Sequence, residues 1–442
     1  MTTLSKNQAT PGKVVIERAV LTSSSGASID IRPQLVELNI YESMRAGFTN
    51  GSVIIHDTQN LQRMLPITGH DKLDISFSIW GGQKTYSQLF YVYGCTTPTY
   101  TEERGKTYIL QLCLPEFITN ISQKLNKAYT GSFPTMAQQV FKDWKAMHPG
   151  NTFSRGMYVD DTAQKTEFTY IPPLLTPVQT IQAVAKRCFD GFEVANWMFY
   201  CAKDAYYFRS IESIAQDANY ENYFYAPKNT AASNDDPMNS YRNVRAWRFK
   251  SSPNTRALIE SGTLAATTLT HDIVTKQWIK TWFSSAISYN NTARVAKTGK
   301  GLAGYMTPIA GDAFNNPLWA GYNSKCHYVP EHSYLFDPKV KQYDSEAELL
   351  AKRQSHFNTM EMLNVEMTIE GDPDITIGKL INFNIPAAEQ VKSSTRKTDE
   401  YYSGRFLVTE VRHRILGSDY KTAIELSKDG YGTTIPSVNT TG

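Results

Sequence analysis

Four alternating apolar–polar segments near the start of the chain recur in the same order near its end. The first set is SVIIHD (52–57), KLDISFSIW (72–80), LFYVYG (89–94) and YILQLCL (108–114). The second is LNVEMTIEGD (363–372), INFNI (381–385), FLVTEV (406–411) and YKTAIELS (420–427). Successive side chains of a strand point to opposite faces. Leu73, Ile75, Phe77 and Ile79 therefore share one face, and Asp74, Ser76 and Ser78 the other. Set in phase, Val53 and Ile55 match Val365 and Met367, and Leu73, Ile75 and Phe77 match Ile381, Phe383 and Ile385. Phe90 and Val92 match Phe406 and Val408, while Leu110 and Leu112 match Ile424 and Leu426. A single match carries no weight, because period-two alternation is common. The ordered set points to an internal duplication of a small antiparallel β-barrel or sandwich, with two unrelated β-domains as the alternative.

Mixed α/β sequence lies between the copies. Residues 132–148 carry Met136, Val140, Trp144 and Met147 at helical spacing. In 176–191, Thr176 suits the N-cap and Pro177 the first turn. Val178, Ile181, Ala185 and Cys188 form its apolar stripe, and Gly191 suits a left-handed stop. Residues 192–211 read as a β-hairpin turning at Lys203-Asp204, and Ser345 with Glu348 forms a capping box that opens a third helix. The expected class is therefore α+β and multidomain: two β-barrel or sandwich domains with α/β domains between and inserted. The 442 residues allow several domains at roughly 100–200 residues each. The expected division is 1–118 (first β-domain), 119–225 (α/β), 226–275 with 345–430 (second β-domain), 276–344 (inserted, loop-rich) and 431–442 (tail). Loops are expected at 226–240, 297–325 and 387–403, with turns at Gly81-Gly82 and Glu103-Arg104-Gly105.

Composition narrows the function classes. A formal charge of +3 gives no sign of a chain built to coat nucleic acid or a membrane surface. Cys95, Cys113, Cys188, Cys201 and Cys326 are odd in number and scattered, which suits reduced thiols better than a disulfide framework. The first residues are polar, and no apolar run approaches the ~18 residues a membrane helix needs. TGKGLAG (298–304) lacks the Ser or Thr after Lys300 that a phosphate loop requires. Cys326, His327 and His332 fall short of zinc spacing, so no metal ligand is assigned. The His-Asp pairs at 56–57 and 70–71 read as strand and turn polars. The carboxylate pairs Asp160-Asp161, Asp235-Asp236 and Asp372/Asp374 sit in turn-like contexts, without the cleft a glycosidase needs. No catalytic or cofactor-binding residue is assigned. Trp278, Trp282 and the aromatic run 192–225 suit a core or subunit contact, or a sugar- or base-stacking platform.

The segment LNIYESMRAGFTNGSVIIHDTQNL (38–61) resembles the opening domain of the central baseplate hub protein of T-even-type contractile-tailed phages. Ile40, Ser43, Gly51, Val53, Ile55, Asp57 and Asn60 carry the likeness, followed by YGC (93–95). It thins through 176–190 and the following hairpin, and returns at TGKG (298–301) and beyond 363. The resemblance implies two tail-tube-like β-domains in one chain and a structural, non-enzymatic role. It implies a homotrimer in the tail baseplate of a virion that presents six similar modules to a six-fold tube and three-fold symmetry to a central spike. The implied partners are the spike, the tail tube protein and the baseplate wedges, with tape measure protein and DNA passing through the channel and no stable membrane insertion. Near-neutral charge suits passage, since a basic lining would hold phosphates. On this reading Lys72, Asp74, Ser76, Asn382 and Asn384 face the channel or a neighbouring subunit. The alternatives are the hub of a contractile protein-injection system, a tail-associated carbohydrate-binding component, and a cell-wall hydrolase.

Overall fold

The computed structural model describes residues 12–431 apart from 66, 81–83, 102–104, 151–152, 161–166, 191–194, 226–241, 252–253, 286–292, 297–323, 332–344, 362 and 388–397. The first β-domain comprises β1 (Val14–Thr22), β2 (Ser28–Asp30), β3 (Leu35–Ser43), β4 (Asn50–Asp57), β5 (Asp71–Ile79), β6 (Thr85–Cys95), β7 (Thr99–Thr101) and β8 (Gly105–Cys113). A short helix, α1 (Leu61–Met64), follows β4. The main strands lie in the order β1-β5-β6-β8-β4-β3, all antiparallel. Alternation decides what is buried: Leu73, Ile75 and Phe77 are sealed inside, while Lys72, Asp74 and Ser76 are not.

The middle of the chain holds α2 (Pro115–Ser122), β9 (Tyr129–Gly131), α3 (Phe133–Met147), β10 (Met157–Val159), β11 (Phe168–Tyr170), α4 (Pro177–Arg187), β12 (Trp197–Cys201), β13 (Tyr206–Ser210) and α5 (Ile211–Gln216). α3 buries Met136, Val140 and Trp144, as its spacing predicts. Thr176 caps α4 in a full capping box with Gln179. α4 ends at Arg187 because Cys188 is already extended (φ −75°, ψ 135°), so the helix stops without Gly191, which lies outside the described residues. β12 and β13 form the expected hairpin.

The second β-domain uses β14 (Tyr220–Tyr225) and β15 (Asn243–Ser251). Next come β16 (Ala265–Asp272), β17 (Trp278–Ser284) and β18 (Lys325–Glu331). β19 (Leu363–Glu370), β20 (Leu380–Asn384), β21 (Gly404–Leu416) and β22 (Asp419–Lys428) complete it. The order β14-β20-β21-β22-β19-β15 closes back on β14 as a six-stranded barrel. β16–β18 and the helix Ser345–Met360 form a separate layer on which Ala266, Phe283 and Ala351 pack. This layer crosses the expected borders at 275 and 345, and β14 falls within the stretch expected to be α/β. The side chains of the expected Ser345/Glu348 box lie outside the described residues, as do the turn glycines Gly81 and Gly82 and most of the three expected loops.

The two β-domains share one topology. Pairing β3 with β15, β4 with β19, β5 with β20, β6 with β21 and β8 with β22 reproduces every neighbour relation within the five. Irregularities recur as well. A bulge between Leu35 and Glu37 against β4 matches one between Val244 and Ala246 against β19. A second, between Val92 and Gly94, matches one between Val408 and Glu410. An extra residue inserted at the same rung of both copies is a specific feature, since bulges locally disrupt the ladder and re-aim the strand. The registers place Leu73 with Ile381 and Phe90 with Phe406, as in the sequence. They place Val53 with Met367 and Ile55 with Ile369, two residues along from the sequence phase, because Val53 lies opposite Leu110 and Met367 opposite Ile424. The sixth position differs. β1 is antiparallel to β5, whereas β14 runs parallel to both β20 and β15, so the second barrel is not wholly antiparallel.

The barrels are joined through the β21–β22 hairpin. β21 continues past its bulge and pairs with β3 from Glu410 against Ser43 to Leu416 against Glu37. On the hairpin's other side, Val14 N–H donates to the Ser418 carbonyl and Tyr420 N–H to that of Gly12. A C-terminal hairpin thus fills the gap between β3 and β1, and one continuous sheet of 14 strands results. Ile415 and Tyr420 belong to the core of the first barrel. Gly371 makes room for this arrangement: a Cβ there would lie 2.0 Å from the Tyr420 ring. Among the described residues, no helix is long and apolar enough to cross a membrane.

Candidate assembly surface

The expected surface residues lie on the outer faces of two strands. Lys72, Asp74 and Ser76 alternate with the buried positions of β5, and Asn382 and Asn384 with those of β20. Asp74 pairs with Arg18 on β1 at 2.9 Å, and Lys72 lies over the Tyr91 ring. Asn382 donates to Asn222 Oδ1 at 2.8 Å. β5 belongs to the first barrel and β20 to the second, and in the sheet order β6, β8, β4, β3 and β21 stand between them.

Between those rows runs the β3–β21 seam, which sequence reasoning missed. Glu37 accepts from Arg414 Nε at 2.9 Å, and Asn39 Oδ1 accepts from Arg412 at 3.0 and 2.8 Å. Arg412 also lies over Tyr41. The hydrogen bond from Arg414 holds the Glu37 carboxyl below its usual range against the opposing effect of burial. The outer surface of the joint is thus a row of cross-strand polar contacts in which two arginines share the one carboxylate of Glu37, each contact modest at a surface.

A second cluster sits where both barrels meet the α/β layer. Three turns converge: Lys84 between β5 and β6, Lys203 between β12 and β13, and Asp372 with Asp374 between β19 and β20. Lys84 reaches Asp372 at 3.0 Å and Asp374 at 3.3 Å; Lys203 reaches Asp374 at 3.4 Å and donates to the Pro373 carbonyl at 2.7 Å. Burial would raise the Asp374 carboxyl, but the two lysines outweigh it and hold the group low. These turns flank a cleft of ≈ 920 Å³ that Tyr200, Tyr207 and Tyr223 also line. Gly378 lies on its wall with φ +76°, where a Cβ would meet the Tyr200 hydroxyl at 2.3 Å.

Behind the clasp, Glu42 of β3 is fully buried and accepts from the Thr376 hydroxyl at 2.5 Å. Burial pushes its carboxyl up to about 7. Nearby, Arg155 pairs with the buried Glu116 at 3.5 Å and donates to Gln88. On the barrel side, His413 Nδ1 and the Tyr420 hydroxyl share a hydrogen bond of 2.8 Å, and burial pushes the imidazole down to about 3, so it is neutral. None of these residues stands out in sequence: Glu42 and His413 sit on strands, at positions whose alternation marks them only as inward-facing. The one available signal is that alternation itself, since an inward Glu or His must find a buried partner.

The groups set aside in sequence have structural roles. Asp57 Oδ1 accepts from Leu61 N–H at 2.9 Å and anchors α1; Asp71 Oδ2 accepts from Thr68 N–H at 2.9 Å. Asp160 pairs with Arg209. Trp197, Phe199, Tyr206 and Phe208 are core, whereas Trp278 and Trp282 are exposed. Among the described residues, no group of three or more His, Cys, Asp or Glu side chains is arranged to hold a metal.

No protein-family model matches the sequence, and no curated relative matches it. Solved structures do match the fold. The 43 kDa tail protein of prophage MuSo2 from Shewanella oneidensis is similar over 93% of this chain and 99% of its own, with a TM-score of 0.52 at 11% identity. A tail protein from Neisseria meningitidis MC58 is similar over 95% of this chain and 99% of its own, with a TM-score of 0.50 at 8% identity. The fold of this chain, along nearly its whole length, is that of these tail proteins.

Proposed function

We propose that this protein is the structural hub of a phage contractile tail, a trimer whose six β-barrels adapt a six-fold tube to a three-fold spike. The observation that carries the reading is the shared topology of the two barrels, with two bulges at matching rungs, within one sheet. Closed rings need matching numbers of equivalent surfaces, and two equivalent modules per chain turn three chains into six. The likeness in fold to two tail proteins supports the same reading. In it, the outer rows carrying Lys72, Asp74, Ser76, Asn382 and Asn384 face the channel or a neighbouring subunit. The partners are spike, tube and wedge proteins, the place is the baseplate of a virion tail, and the work is done by surfaces. The division into two barrels, an α/β layer and the inserted β16–β18 layer belongs to the same proposal.

Light scattering on the purified chain tests it. Three chains of 49.8 kDa give about 149 kDa. A stable monomer, or a dimer, contradicts the adapter reading. The hub of a protein-injection machine shares the same geometry; capsid genes beside this one in its genome separate the two. Clearing of peptidoglycan in a gel by the purified chain overturns the non-enzymatic role.

A further inference from the structure

The barrels differ at one seam. In the first, the β21–β22 hairpin covers the free edge of β3, and Leu38 and Ile40 beneath it are fully buried. The shared bulge equates Leu38 with Trp247 and Ile40 with Phe249. Among the described strands, however, that edge of β15 is paired only at Asn243 and Val244, against the end of β14. Phe249 is 39% exposed, although Val365 opposite it is fully buried. An open edge of this kind is a template for an added strand.

The first barrel also owns the counterpart of the hairpin. Beyond its bulge, β6 leads into β7, which pairs with the start of β8. The registers equate Lys106 with Tyr420, so Tyr100, opposite Lys106, stands where Ile415 stands opposite Tyr420. Ile415 is 0% exposed in the barrel it plugs; Tyr100 is 80% exposed.

We propose that the β6–β7–β8 arm of one copy pairs along β15 of a neighbouring copy, with Tyr100 covering Trp247 as Ile415 covers Leu38 within the chain. The inference rests on the trimeric reading and specifies its joints: three within chains and three between them.

The test uses two full-length variants, each with Cys95 and Cys326 replaced by Ser. One carries Tyr100→Cys and the other Trp247→Cys. They are mixed and oxidised, and the doubly substituted chain is oxidised alone. The expected results are a disulfide-linked heterodimer from the mixture and covalent trimers from the double variant, with neither single variant linking to itself. A particle of trimeric mass without these links overturns the arm pairing and leaves the hub reading standing. A monomeric mass overturns both, and a disulfide within one chain overturns the arm pairing. Should Trp247→Cys fail to fold, Tyr100→Arg alone decides: far-UV circular dichroism of the variant matches that of the unsubstituted chain, while association weakens about tenfold or more. Unchanged association contradicts the proposal.

Discussion

Ile415 lies directly across from Leu38 in the antiparallel pairing of β21 with β3, and both are sealed from solvent. A side chain near the C-terminus is therefore core for the barrel at the N-terminus. Removing it leaves a cavity in a domain hundreds of residues away in sequence. Ile415→Ala is expected to cost about 2–4 kcal/mol. Hydrogen exchange checks this: amides of Leu35–Ser43 lose protection, and unfolding stays a single transition because the barrels share the hairpin. Loss of protection confined to β21 and β22 contradicts the shared core.

Glu42 and His413 give the junction opposite pH dependences. The Glu42 carboxyl is raised from 4.5 to about 7, so its contribution to stability is fully present below pH 4.5 and lost as pH rises through 7. His413 is lowered from 6.5 to about 3, so its contribution is present above pH 6.5 and lost as pH falls toward 3. Glu42→Gln is expected to shrink the loss of stability between pH 5 and pH 8 by up to about 3 kcal/mol, at 1.36 kcal/mol per pKa unit. Denaturant melts at the two pH values measure it; an unaltered difference shows that Glu42 does not titrate there.

Lys84 and Asp372 tie the first barrel to the second at 3.0 Å, with Asp372 almost wholly buried. Breaking one side leaves a buried carboxylate short of its cation, so Lys84→Ala is expected to cost about 1–3 kcal/mol. Lys84→Ala with Asp372→Asn is expected to recover part of the loss. A double-mutant cycle by thermal melting reports the coupling, and strict additivity removes the clasp from the account.

Asp74 lies on the outer face with Arg18 as its partner. Asp74→Lys is expected to change stability by less than about 1 kcal/mol, as surface ion pairs do. The same change is expected to reduce recovery of the oligomer on size exclusion. Unfolding of the isolated chain by this substitution overturns the outward assignment.

Much of the barrel pair was legible in sequence because period-two alternation is local. Leu73, Ile75 and Phe77 and their counterparts Ile381, Phe383 and Ile385 are inward in both copies. The fifth repeated pair, β3 and β15, escaped notice because a bulge in each breaks the alternation at Leu35/Glu37 and Val244/Ala246. The two-residue offset of Val53 from Val365 stayed hidden for another reason: an alternation of period two is unchanged by a shift of two residues. The hairpin exchange left no readable mark: the alternation of β21 changes phase at the bulge between Val408 and Glu410, and nothing in that break says that Val408 faces one barrel while Ile415 faces another. Contacts such as Glu42 with Thr376 join residues far apart in sequence, where only register decides who meets whom. The end of α4 was misplaced because an extended Cys188 stops the helix before the glycine that seemed to mark it.

The central claim is that three chains set six like barrels around a pore. Class averages of the purified particle in negative stain test it most directly. The account predicts a hollow ring with six lobes and true three-fold symmetry. A solid particle, or a ring whose lobes number other than six, contradicts it.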